Sequence, residues 1–325
     1  MTSPGSQTPG APTPGSNSGT GQLGLVGLGK MGSNMKTRIA ASGIEVIGYD
    51  PRPEVSDTES LAALVEALTP PRTVWVMVPS GDPTRTTIAT LRDLLSPGDI
   101  VVDGGNSRFT EDPINANLLA TNGIGYVDCG VSGGVWGVEY GYCLMAGGSD
   151  EHIERLMPVF NALRPHDAPD AGFVHAGPVG AGHYAKMVHN GIEYGLMHAY
   201  GEGYELLCAE PLIKDVDGTL RAWTSGTVIR SWLLELLVRA LDEDPGLENI
   251  SDYTTDSGEG RWTVESAIQL SVPANVISAA LFARFASQQP NSPALKAVSA
   301  LRNQFGGHAM TDRSGKSVGE TNSPH

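Results

Sequence analysis

Positive charge is scarce in this chain. Its 325 residues hold 21 Lys and Arg against 36 Asp and Glu, a formal charge of −15. Binding to nucleic acid through a general positive field is excluded, because that binding rests on neutralising phosphates. Cysteine is nearly absent as well. Cys129, Cys143 and Cys208 have spacings that fit no metal motif, and they are too few for a secreted disulfide framework. No metal is expected. A long apolar run is also missing. The charge-free stretch 266–283 is interrupted by Gln269, Ser271, Pro273, Asn275 and Ser278, which favours a buried helix over a membrane span. The first 20 residues lack the basic start and apolar middle of a signal peptide. A soluble, cytoplasmic protein without nucleic-acid or membrane partners is the expectation.

What is present is enough apolar side chain, 40% of residues, to bury a sizeable core. The length allows about two domains at roughly 150 residues each. Residues 1–20, of which 16 are Pro, Gly, Ser or Thr, are expected to be a disordered tail. The polar segment 311–325 is expected to be another. Strand-like runs at 23–27, 45–49, 73–78, 100–103 and 126–129 alternate with helix-like segments at 30–42, 58–68, 85–95 and 113–122. Further strands are expected at 142–147 and 173–176. This alternation predicts a Rossmann-type α/β domain over 21–178, a parallel sheet with helices on both faces. Long helical segments follow at 182–208, 220–241 and 264–287, predicting an all-α domain over 179–310. The 13 acids and four bases between Glu202 and Glu259 read as a solvated acidic face.

Gly27, Gly29 and Gly32 form G-x-G-x-x-G between the first strand and the first helix. That pattern suits a tight turn, close backbone approach to a pyrophosphate, and close helix–strand packing. Leu28, Lys30 and Met31 lie within the loop and the helix start, whose N–H groups hold phosphates. Val78, at the end of the third strand, and Asn106 are expected cofactor contacts too. Asp50 ends the second strand, 18 residues after Gly32, where a carboxylate accepts from both ribose hydroxyls and repels a 2′-phosphate. NAD is therefore expected over NADP, with Arg52 as the one residue able to swing toward a 2′-phosphate.

The densest signal lies in residues 180–194. Lys186, His189, Asn190 and Glu193 fall at i, i+3, i+4 and i+7, one stripe of a helix. An amine and a carboxyl two turns apart make a general acid/base pair once a cleft has tuned their pKa values. Gly180, Ala181 and Gly182 would let this helix approach the first domain closely. Two loops follow strand ends, where open α/β sheets bind ligands: Asp103–Ser107, carrying Asn106, and Val131–Gly134, carrying Ser132, Gly133 and Gly134.

Together, DGGNS, VSGG and KMVHNGIEY resemble the decarboxylating 6-phosphogluconate dehydrogenases of the β-hydroxyacid dehydrogenase superfamily. The resemblance covers about residues 22–310 and is to the short form, without a duplicated helical domain, which often uses NAD. It implies oxidative decarboxylation of 6-phospho-D-gluconate to D-ribulose 5-phosphate and CO2. It implies Lys186 as the base at the C3 hydroxyl and Glu193 as the acid that protonates C1. Asn106, Ser132, Gly133, Gly134, His189 and Asn190 match substrate-binding positions, and Tyr194 and Arg284 match phosphate contacts. Arg302 and His308 match a tail that reaches into a neighbouring subunit's site, which implies a homodimer or homotetramer. The chain departs from the long form at Asp50, at Val135 and Trp136, and at Ser257 and Glu259. Arg261 is the compensating positive charge near the last pair. The alternatives are a non-decarboxylating dehydrogenase of a small β-hydroxyacid and a non-catalytic dinucleotide sensor.

Overall fold

The computed structural model describes residues 21–166, 171–306, 308–312 and 316–318. The expected tail over 1–20 lies outside the described residues. The chain divides into two compact units, Met1–Asn190 and Gly191–His325.

The first unit is built on seven strands: β1 (Gln22–Val26), β2 (Glu45–Tyr49), β3 (Thr73–Val76), β4 (Ile100–Asp103), β5 (Gly125–Ser132), β6 (Cys143–Gly147) and β7 (Phe173–Gly177). Their order is β2-β1-β3-β4-β5-β6-β7. Its helices begin with α1 (Lys30–Ala41), α2 (Leu61–Ala67), α3 (Asp82–Leu94) and α4 (Asp112–Ala120). A single turn, α5 (Gly137–Tyr140), and α6 (Asp150–Leu163) follow. Side chains alternate across a strand, so each strand feeds two layers. Leu23, Leu25, Trp75, Ile100, Val102 and Val127 pack with Met35 and Ile39 of α1 and Phe160 of α6. Val26, Val74, Val76 and Val101 pack with Leu64 of α2, Ile88 of α3 and Leu119 of α4. That division is the doubly covered sheet expected from the sequence. Ser60 caps α2 and Ser149 caps α6, each accepting a backbone N–H of the first turn.

The sheet is not wholly parallel. β1 to β5 pair in parallel, but β6 runs antiparallel to β5 and parallel to β7. The reason is the short connection over 133–142. A parallel return needs a crossover of about a dozen residues or more, usually a full helix.

The long helix α7 (Ala181–Ala209) runs from the first unit into the second. The first compact unit reaches Asn190, within α7, because the first turns of α7 pack on β5. The second unit is otherwise helical: α8 (Val216–Trp223), α9 (Trp232–Glu243), α10 (Glu259–Gln269), α11 (Asn275–Ser287) and α12 (Pro293–Gly306). Two segments expected to be continuous are broken. Ser231 accepts from Leu234 N at 3.1 Å and starts α9 afresh. Pro273 falls between α10 and α11, where it cannot continue a helix. The expected tail from 311 is corrected in part: β8 (Met310–Thr311) pairs antiparallel with β9 (Ser317–Val318). Among the described residues no helix is long and apolar enough to cross a membrane.

Candidate active site

The strand order reverses at β1 and β3, and the glycine loop sits there, at the carboxyl ends of the strands. Gly27 has φ +92°, a conformation that only glycine adopts without strain, and a Cβ on Gly32 would overlap the Gly27 carbonyl. Gly29, in contrast, faces open space. It precedes α1 without a side-chain cap and with no acid in the first turn, leaving that helix start open to an anion. An open cleft of about 520 Å³ lies here, lined by Leu28, Gly29, Lys30, Ser33, Asn34 and Arg52 among others. Val78 stands beside Gly27.

Asp50 is buried at the end of β2. Its Oδ2 accepts from Leu28 N at 2.8 Å, and its Oδ1 accepts from Arg52 Nε at 2.8 Å. The Arg52 hydrogen bonds outweigh burial and hold its pKa at about 2. Arg52 also donates from Nη2 to Asp50 Oδ2 and to the Leu28 carbonyl. The guanidinium considered for a 2′-phosphate is thus committed to Asp50. These residues fit a dinucleotide with a free 2′-hydroxyl.

The second cluster of the first unit joins β4, β5 and α7. Lys186 is buried at 5% exposure, and its Nζ donates to Asn106 Oδ1 at 2.5 Å. A Cβ at Gly130 would overlap the Lys186 Cβ, so this glycine lets the lysine stem lie on the strand. Ser132 Oγ and His189 Nε2 are 3.5 Å apart, and His189 Nδ1 lies 2.9 Å from Asn190 Oδ1. Asp128, Gly130 and Ser132, at period two on β5, thereby meet His183, Lys186 and His189, at period three on α7. Gly133 and Gly134 both have positive φ in the loop that follows.

Beneath Lys186 lies a buried polar network that sequence reasoning missed. Asp128 Oδ1 accepts from Gly180 N at 2.7 Å and Oδ2 from His183 N at 2.9 Å, capping α7. His183 Nδ1 lies 2.9 Å from both Asp112 oxygens. Tyr126 donates to Asp112 Oδ1 at 2.8 Å. Asp103 accepts from Gly105 N at 3.0 Å and from Ser107 Oγ at 2.7 Å, bracing the loop that carries Asn106. Burial opposes a charge on His183, but the facing Asp112 carboxylate overrides it and lifts the pKa to about 9. Burial pushes Asp112 up to about 6. The available signal was charged residues inside strands otherwise rich in Val and Ile.

In the second unit, Tyr194 is buried, and Ser257 N donates to its hydroxyl at 3.0 Å. The Arg284 guanidinium stacks 3.5 Å from the Tyr194 ring centre and donates to Thr255 O at 3.1 Å. Arg261 pairs with Asp256, its Nη2 lying 2.6 Å from Oδ2. Tyr194, Arg284 and Arg261 thus share one neighbourhood around 255–261. Glu259 is buried in the first turn of α10. Glu193 is half-buried, whereas Arg302 and His308 are exposed. The His308 carbonyl accepts from Asn303 Nδ2 at 3.0 Å.

Residues 22–165 match the NAD binding domain of 6-phosphogluconate dehydrogenase, and residues 182–319 match its C-terminal domain. The chain is 40% identical over 299 residues to the NAD(+)-dependent, decarboxylating 6-phosphogluconate dehydrogenase of Haloferax volcanii, covering 89% of this chain and 98% of that one. The chain belongs to the 6-phosphogluconate dehydrogenase family. Among solved structures, the 6-phosphogluconate dehydrogenase of Plasmodium falciparum matches with a TM-score of 0.76 and 26% identity, over 91% of this chain and 67% of that one. The 3-hydroxyisobutyrate dehydrogenase of Mycobacterium tuberculosis shares the fold, with a TM-score of 0.64 and 23% identity over 86% of this chain and 99% of that one. Membership of the 6-phosphogluconate dehydrogenase family therefore rests on the sequence matches, the fold being common to both.

Proposed function

We propose that this chain catalyses the oxidative decarboxylation of 6-phospho-D-gluconate to D-ribulose 5-phosphate and CO2, with NAD as electron acceptor. The observation that carries this reading is the buried Lys186 amine, held by Asn106 at the carboxyl ends of β4 and β5. A lysine in such a setting is a base for an alcohol, not a surface charge. NAD supplies the acceptor for the hydride at C3. The Gly27–Gly32 loop, with Leu28, Lys30 and Met31, would hold its phosphates and Asp50 its ribose, with Val78 and Asn106 as further contacts.

Lys186 takes the proton from the C3 hydroxyl. Oxidation at C3 leaves a β-keto acid, whose C1–C2 bond breaks with its electron pair moving toward the C3 oxygen. The protonated Lys186 stabilises that oxygen as charge develops. CO2 departs, and Glu193 delivers a proton to the carbon that carried it, the C1 of the enediol. Asn106, Ser132, Gly133, Gly134, His189 and Asn190 orient the sugar acid. Tyr194 and Arg284 bind the phosphate, with Arg261 adding charge; a guanidinium fork suits a phosphate dianion. Arg302 and His308 serve the site of a neighbouring copy, so the working unit is a homodimer or homotetramer.

The test is Lys186→Met. Turnover of 6-phosphogluconate should fall by about a thousandfold or more, within the span of general-base contributions, while NADH binding measured by fluorescence is kept. Retained turnover refutes the role given to Lys186.

A further inference from the structure

The buried network beneath Lys186 has no part in the chemistry just described, yet it joins the two elements that hold the base. We propose that His183, Asp112 and Tyr126 form a positioning network that sets the Lys186 amine against Asn106. This inference rests on the reading of Lys186 as the base.

The argument begins with geometry. Lys186 and Asn106 come from different elements, α7 and the loop after β4. Only their mutual placement makes the 2.5 Å contact. His183 lies one helical turn before Lys186 on α7. Its Nδ1 meets Asp112 of α4. Tyr126 of β5 donates to Asp112 at 2.8 Å and lies 3.4 Å from Asp103 Oδ2. Asp103 in turn braces Gly105 and Ser107, on either side of Asn106. Hydrogen bonds therefore run from the turn preceding the base through Asp112 to Tyr126, whose one hydroxyl proton goes to Asp112 and whose oxygen lies 3.4 Å from the Asp103 carboxylate that braces the loop holding its partner.

Cost is the second consideration. His183, Asp103, Asp112 and Asp128 are all buried. His183 Nε2 is buried with no hydrogen-bond partner among the described residues. Apolar packing would secure a helix on a sheet without that penalty. A partly unsatisfied buried network calls for a reason other than stability. Geometry fixed by directional bonds supplies one, since misplacing a reacting group by about 1 Å costs about a hundredfold in rate. Asp103, Asp112 and His183 offer ligand atoms within 4.8 Å of one another, and of these His183 Nδ1 and Asp112 are already bonded to each other.

The experiment compares the intact protein with His183→Ala and His183→Asn. An Asn amide can still donate to Asp112 from the Nδ1 position. We expect His183→Ala to lose about a hundredfold in kcat, with KM for 6-phosphogluconate and Kd for NADH changed less than about threefold. His183→Asn should recover to within about tenfold of the parent. Hydrogen exchange should rise together over 104–107 and 180–186 in His183→Ala, and stay unchanged in β1. The proposal is overturned if His183→Ala keeps kcat within about threefold, or if kcat falls while KM and Kd both rise, without recovery in His183→Asn. Where His183→Ala does not fold, Tyr126→Phe decides: a kcat loss of about tenfold at constant KM supports the network, and an unchanged kcat overturns it. If the parent protein does not turn over 6-phosphogluconate, the functional reading fails. The exchange measurement then still judges the network.

Discussion

In the proposed function, a single carboxylate, Asp50, selects the dinucleotide. Asp50 is ionised at any ordinary pH, because Arg52 and the Leu28 N–H hold its pKa at about 2. Its folded pKa lies below the usual 3.8, so its stabilising contribution is present above that value and is lost as pH falls through about 2. Arg52 is itself held by Asp50, so removing the carboxylate releases a guanidinium into the cleft. Asp50→Ala should lower kcat/KM for NAD by about 10- to 100-fold, the worth of a charged hydrogen bond, and raise it for NADP. The ratio of the two kcat/KM values checks this. An unchanged ratio would remove Asp50 from the ribose site.

The decisive element is α7 on β5. The strand presents Asp128, Gly130 and Ser132, and the helix answers with His183, Lys186 and His189. Gly130 is a point of close approach, where a Cβ would overlap the Lys186 Cβ. Gly130→Ala would push the Lys186 stem off the strand. Overpacking of this kind costs about 1–3 kcal/mol of stability. We expect a lowered Tm and a kcat loss of about a hundredfold, because the displaced group is the proposed base. A Tm drop with kcat unchanged would show that the strand contact does not set the lysine.

Much of this element was legible in sequence. The spacing of Lys186, His189, Asn190 and Glu193 can be read from 3.6 residues per turn, and the glycine loop from its flanks. The strands announced themselves through Val and Ile at buried positions. The direction of β6 did not, because alternation is the same for either direction, and only the short connection over 133–142 decides. The partnership of His183 with Asp112 was also hidden. It joins residues 71 apart in sequence, and no periodicity relates them.

At the scale of the molecule, the formal charge of −15 and an anionic substrate are compatible when positive charge is concentrated. Lys186 in the first unit is buried and held in place, and Arg261 and Arg284 cluster in the second around 255–261. The remaining acidity, densest between Glu202 and Glu259, excludes broad polyanion binding without opposing a small phosphorylated acid. Length points the same way. The chain spans 98% of the Haloferax volcanii relative. The central claim is oxidation coupled to decarboxylation, and it is tested most directly by following NADH and CO2 together from 6-phosphogluconate labelled at C1. The account predicts one labelled CO2 for each NADH formed, with 3-hydroxyisobutyrate left unoxidised. NADH without labelled CO2, or preferential oxidation of 3-hydroxyisobutyrate, would contradict it.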